Sequence, residues 1–319
     1  MGGKHIEPML RVVASGCFMR RRQLLAGVLV MASLSIDSVA MQATHGPVAS
    51  GQERSGGRID ARVHAQGDTL HYEGLITSAG LAKFTETLQQ HPEVITLQVR
   101  SRGGDALPAI EMGEHVLRRN LAVVVDRVCN SACANYLFVP AATRRVLPGS
   151  VVMWHNSCPQ NIADGTAFER VLAGEGTNLS SSLRREGVPL SETERERVVR
   201  EQGPELAEKL RRYFRAVVRP QRRLFASTGI DSRIVCLGDY LQLPHGGDYA
   251  YTLSATDMAA FGLCGVQLPD DYEEGVARIL ADEGLADRAG PLRLTDYPEF
   301  RPSPRRTCPI RTAITKEPH

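Results

Sequence analysis

The chain has 319 residues, 42% of them hydrophobic and 23% charged, with a formal charge of +2. That length and balance suit one large domain or two small ones and exclude a disordered or fibrous chain. Residues 1–40 hold five basic and two acidic side chains, and removing their +3 leaves −1, so the near-neutral remainder makes no electrostatic case for a nucleic-acid partner.

The N-terminus reads as an export signal. Arg20, Arg21 and Arg22 precede an apolar run over 24–36, and Ser38-Val39-Ala40 follows as a small-x-small cleavage site. A run of 13 residues is too short to span a bilayer, which favours a cleaved signal over a stable membrane anchor. Arg21-Arg22-Gln23-Leu24-Leu25 is compatible with a twin-arginine signal, and three adjacent arginines also suit an ordinary basic start. Translation from Met1 or from Met19 are both open. Ala14-Ser15-Gly16-Cys17 has no preceding apolar run, so lipidation is not favoured. A periplasmic or secreted location is the expectation.

Residues 41–57 are rich in Gly, Ser, Gln and Ala without periodicity and read as a linker. The stretches 58–67 and 69–77 alternate apolar and polar residues, as two strands do. Helical spacing follows over 78–91, and 94–99 is an apolar run of the kind found in strands buried on both faces. After Gly103-Gly104 come a helix through 119, a strand over 121–129, a helix over 131–142 and a strand over 150–155. This repeated β-β-α pattern with short connectors predicts an α/β core with parallel pairing, a domain over 58–289. Residues 160–230 read as a helical insertion: one helix over 167–186, a second capped by Ser191 and Glu194, and a third started by Gly203-Pro204. Its Arg/Glu runs read as a solvated face. Short strands and a helix over 255–262 follow, and the Pro- and Arg-rich tail 290–319 reads as irregular.

Loss of the leader leaves Cys129, Cys133, Cys158, Cys236, Cys264 and Cys308. Six cysteines in an oxidising compartment predict up to three disulfides, with about fifteen connectivities open, and free buried thiols are the alternative. No CxxC or HExxH occurs, and His155 with Cys158 is too little for zinc. No metal and no cofactor is expected.

The chemistry concentrates in 97–155. A strand runs into Gly103-Gly104, a second runs into a small-residue elbow carrying Ser131, and a third delivers His155. A serine becomes a nucleophile when a base takes its proton and fixed N–H donors meet the oxyanion. Ser131 at a helix start has the favourable end of the helix dipole beside it, although a lone Ser there is most often only an N-cap. A strand-end histidine titrates near neutrality and suits general-base work, although it can equally be structural. The two glycines let backbone N–H groups approach a carbonyl, or simply make a tight turn.

Ser101-Arg102-Gly103-Gly104-Asp105, Cys129-Asn130-Ser131-Ala132-Cys133-Ala134, the 147–155 segment ending in Trp154-His155, and Tyr251-Thr252-Leu253-Ser254-Ala255 with the following helix appear in order. Together they resemble the Clp-type serine protease branch of the Clp/crotonase superfamily, in particular its exported bacterial members with a Cys-x-Ser-Ala-Cys elbow. The likeness covers 58–160 and 235–268. It implies a spiral of repeated ββα units, Ser131 as nucleophile, His155 as base, and Gly103, Gly104 and Ala132 as the oxyanion loop, with the Gly104 and Ala132 amides donating. Cys133, two residues into the helix, is the lesser candidate nucleophile. The position that the resemblance assigns to the orienting Asp is Ala250 here. Asp248 is the nearest replacement, Asp257 is the other, and a Ser-His dyad or a silent site follows if neither reaches His155. A polypeptide substrate and assembly into a homo-oligomer are further implications. No GxxxxGK[ST] motif occurs, so any hydrolysis would be ATP-independent. A catalytically silent scaffold that binds peptides or self-associates is the competing expectation. Acyl-coenzyme A chemistry is a distant third, because that cofactor is not expected outside the cytoplasm.

Overall fold

Alternation of Leu70 and Tyr72 with His71, and of Leu97 and Val99 with Gln98, buries one face of each strand and leaves the other half-covered. Pleated strands with this pattern pack that face on helices. The computed structural model describes residues 61–155, 158–159, 191–241 and 250–308, apart from 283, 285, 287 and 288. They lie within one unit, Ser35–His319. The leader and signal (1–40), the linker 41–57, the helix expected over 167–186 and Asp248 lie outside the described residues.

The architecture is mixed α/β. Strands β1 (Arg62–Gln66) and β2 (Thr69–Glu73) form an antiparallel hairpin. Helix α1 (Ser78–Gln90) is capped by the Thr77 hydroxyl, which accepts from the Gly80 N–H. Strand β3 (Thr96–Ser101) lies parallel to β2, helix α2 (Ala106–Arg118) follows, and β4 (Ala122–Asn130) lies parallel to β3. β3 alternates, and Ile95 just before it is 59% exposed, so this strand is not buried on both faces as its apolar run suggested. β6 (Val151–His155) is: its first four residues are all buried.

β4 is the branch point of the sheet. A bulge between the Val99↔Val125 and Ser101↔Cys129 pairs bends it at Arg127, whose φ is +67°. The Ser150 hydroxyl holds the bend by accepting from the Arg127 N–H at 2.7 Å. The first half of β4 then pairs with β5 (Arg144–Val146) and the second half with β6, both in parallel. Among the described residues the path is β1-β2-β3-β4-β6-β7-β9, with β7 (Ala250–Leu253) antiparallel to β6 and β9 (Ala289–Leu292) parallel to β7. β8 (Val266–Gln267) pairs with β5.

Helix α3 (Glu192–Thr228) runs unbroken through Gly203-Pro204 and again through Pro220, where the sequence predicted two helices. A proline removes one backbone hydrogen bond but leaves the rest of a long ladder. Burial of Leu210, Val217, Leu224 and Phe225 holds the C-terminal half in place. A 3₁₀ turn, Ser232–Cys236, leads into the short α4 (Leu237–Tyr240), and α5 (Ala255–Ala260) and α6 (Tyr272–Asp282) follow. The described segment after Leu292 is largely without regular secondary structure and is held by specific ties. β9 belongs to the sheet, Gly229 O accepts from the Arg305 and Arg306 N–H groups, and Asp231 accepts from the Ser303 N–H and the Arg233 guanidinium. Burial alone would raise the Asp231 carboxyl, but Arg233 and these N–H donors outweigh it and hold the group below the ordinary carboxylate range.

The six cysteines pair as Cys129–Cys133, Cys158–Cys236 and Cys264–Cys308. Among the described residues no helix is long and apolar enough to cross a membrane.

Candidate active site

Three neighbouring parallel strands end at one place. β4 ends at Asn130, and Ser131 follows with φ +57°, a left-handed conformation that a non-glycine residue adopts at a cost of about 1 kcal/mol. The turn is held on both sides: the Ser131 N–H donates to Met153 O of β6 at 3.1 Å, and Ser131 O accepts from the Asn135 N–H at 2.9 Å. The chain then winds into a short helix over 132–138, with π geometry over Ala134–Phe138. The Cys129–Cys133 disulfide closes across the turn with Ser131 at its midpoint.

His155 is the last residue of β6, and its Nε2 lies 2.5 Å from Ser131 Oγ. The two residues are therefore in direct hydrogen-bond contact. Cys133 is in the disulfide and has no free thiol, which removes it as a nucleophile.

The Gly103-Gly104 turn leaves β3 alongside. A Cβ on Gly103 would stand 2.8 Å from both Ser131 Cβ and Asn130 O, and 3.1 Å from Ala132 N. Only a glycine lets the two turns meet. The Gly103 N–H donates to the Ser101 hydroxyl at 3.1 Å, so it is occupied internally. Gly104 pairs with Ile76 in a parallel bridge in which Ile76 N–H donates to Gly103 O and Asp105 N–H to Ile76 O, both at 2.8 Å. This pattern turns the Gly104 N–H away from Ile76, and no described residue accepts from it. The Ala132 N–H, in the first turn of its helix, likewise has no acceptor among the described residues, as is usual for first-turn amides. The arrangement thus holds a serine against an imidazole, with two uncommitted amides on the flanking turns.

Asp248 lies outside the described residues. Asp257 does not bond to His155: its two oxygens take the Ser254 hydroxyl at 2.7 Å and the Leu294 N–H at 3.2 Å, tying α5 to the segment after β9. His155 pairs with Ala250, the first residue of β7, across the β6–β7 ladder.

The supporting residues carry no sequence signal. Tyr213 of α3 reaches the start of α2, where its hydroxyl accepts from the Ala106 N–H at 2.8 Å, and burial pushes its pKa up to about 12. It fixes the helix that follows the glycine turn. Tyr136 bonds to Gln221 at 2.5 Å inside the protein, linking the helix after Ser131 to α3. The far end of that helix is held by Arg144. Its buried guanidinium donates to Phe138 O, Val139 O and Cys264 O, and burial lowers its pKa to about 10. A cation at a helix C-terminus suits the dipole, and three carbonyls replace the missing carboxylate. Among the described residues no cluster of His, Cys, Asp and Glu could hold a metal.

No protein-family model matches the sequence, and no curated protein matches it.

Proposed function

We propose that this chain is an exported, ATP-independent serine hydrolase acting on polypeptides, built on the Clp/crotonase spiral. The observation that carries the reading is the 2.5 Å contact between His155 Nε2 and Ser131 Oγ on a left-handed turn. In the reaction, Ser131 Oγ attacks the scissile carbonyl carbon while His155 Nε2 takes the hydroxyl proton. The Gly104 and Ala132 N–H groups meet the oxyanion, with Gly103 as the packing surface behind them. The imidazolium passes its proton to the leaving amine, and water then releases the acyl group by the same steps. Asp248 is the proposed orienting carboxylate, supported by its place two residues before the residue paired with His155. Three disulfides suit a periplasmic or secreted protein.

A second reading, a silent scaffold that binds peptides or self-associates, draws support from the burial of Ser131, which is only 1% exposed. Fluorophosphonate labelling of the oxidised mature protein separates the two. A hydrolase labels, and Ser131→Ala and His155→Ala both abolish the signal, the second by at least about 1,000-fold in rate. A folded wild-type protein that does not label is the scaffold.

A further inference from the structure

Three disulfides do not do the same work. Cys158–Cys236 and Cys264–Cys308 join residues 78 and 44 positions apart, whereas Cys129–Cys133 joins residues only 4 apart. A cross-link restricts the unfolded chain in proportion to the logarithm of its loop, so the shortest loop contributes least to global stability. Its place is nevertheless specific. Cys129 is held in the sheet, paired with Val152 of β6 on one side and Ser101 of β3 on the other. Cys133 lies at the start of the helix over 132–138. Between them, Ser131 is kept in a left-handed conformation that serine does not favour, with His155 at hydrogen-bond distance. A tether across a strained residue acts on that residue's local equilibrium.

We propose that the Cys129–Cys133 disulfide is the positioning clamp of the nucleophile, and that its formation switches the site on: the dithiol form is folded but inactive, and the disulfide form is active. The inference rests on the serine-hydrolase reading and gives that site a regulation. With the link open, Ser131 relaxes towards ordinary backbone angles, its Oγ leaves His155, and the Ala132 amide moves with it. The chain is then harmless wherever thiols stay reduced, and becomes a hydrolase in an oxidising compartment. The chemistry is thiol–disulfide exchange. One protein thiolate attacks an external disulfide and breaks its S–S bond, giving a mixed disulfide. The second protein thiolate displaces the external sulfur. The protein loses two electrons and two protons, and the external disulfide is reduced to two thiols. Both cysteines are fully buried once the disulfide is closed, so exchange takes place while the Ser131 turn is open in the dithiol form, and the closed clamp then resists reduction.

The test compares oxidised wild-type protein, Cys129→Ala/Cys133→Ala and the control pair Cys264→Ala/Cys308→Ala, all as full mature chains. Fluorophosphonate labelling is measured beside residue-resolved amide hydrogen exchange. The clamp predicts that the 129/133 pair labels about 100-fold more slowly, the scale of a misplaced catalytic group. It also predicts that the Ser131 and Asn135 amides lose at least tenfold in protection, while Val123 and Val125 keep theirs. The control pair labels at the wild-type rate. Labelling and Ser131 protection both unchanged in the 129/133 variant would overturn the proposal. If wild type itself fails to label, the hydrolase reading falls, and the exchange data still decide whether the disulfide holds the turn.

Discussion

Gly103 and Ser131 are packed back to back, so that a methyl group on the first would stand 2.8 Å from Cβ of the second. The nucleophile is thus positioned by a neighbouring backbone as much as by its own. Gly103→Ala, at φ +96° and with that clash, is expected to cost about 2–3 kcal/mol and to slow labelling at least tenfold. Gly149→Ala is the comparison: its φ is +71° but nothing lies within 4 Å, so about 1 kcal/mol is lost and labelling is unchanged. Thermal unfolding and labelling rates on the two variants check both statements. Equal effects would mean that the contact is immaterial.

Arg144 holds two carbonyl oxygens at the end of the nucleophile helix, Phe138 O and Val139 O, and ties them to Cys264 O beyond α5. Phe138 O also accepts from the Ala141 N–H, but Arg144→Met takes the guanidinium from Val139 O and Cys264 O, and about 3 kcal/mol of stability should go with it. Arg144→Lys should restore less than half, because an ammonium cannot span what the planar guanidinium spans. Urea midpoints of the three proteins decide it.

Alkaline pH should unfold the protein. Burial raises the pKa of Tyr72, Tyr136, Tyr213, Tyr251 and Tyr272 in the folded state. Above pH ~10 the unfolded chain loses these protons while the folded chain keeps them, so stability falls as pH rises. Tyr213, pushed up to about 12, accounts alone for roughly 2 kcal/mol by pH 12. Arg144, lowered to about 10, works in the opposite direction above that pH, one group against five. Denaturant midpoints between pH 8 and 11 should be level at first and then drop steeply. A level profile throughout contradicts the argument.

Removing Cys158–Cys236 should injure the whole fold. Its loop of 78 residues corresponds to about 4–5 kcal/mol of chain entropy, against about 2 kcal/mol for the loop of 4 closed by Cys129–Cys133. Cys158→Ala/Cys236→Ala is therefore expected to lower the melting temperature by the larger amount, measured by calorimetry.

What could be read from the residues alone was local. Alternation in 58–67 and 69–77 and helical spacing in 78–91 are properties of short windows, and the structure has those elements within a few residues. The proximity of Ser131 and His155 is legible only from the ordered motifs, since a separation of 24 positions has no period of its own. β9 was missed because Ala-Gly-Pro-Leu lacks every strand signal. Its exposed Pro291, which has no N–H to give, is tolerated at the end of the sheet path, where no further strand pairs among the described residues. The Tyr213 contact with Ala106 crosses 107 positions, and no pattern within a helix dense in arginine marks that tyrosine. The break expected at Gly203-Pro204 failed because propensity weighs one residue, whereas the helix is held by burial further along.

The glycine turn, Ser131 and His155 leave three strands that are hydrogen-bonded side by side, β3 to β4 to β6. The gaps between them are therefore set by the interstrand repeat of about 4.8 Å, a length that warming hardly alters while the ladder exists. A site gauged in this way does not loosen by degrees. It should keep its reactivity up to the melting transition and lose it there, so that the temperature of inactivation and the temperature of unfolding coincide.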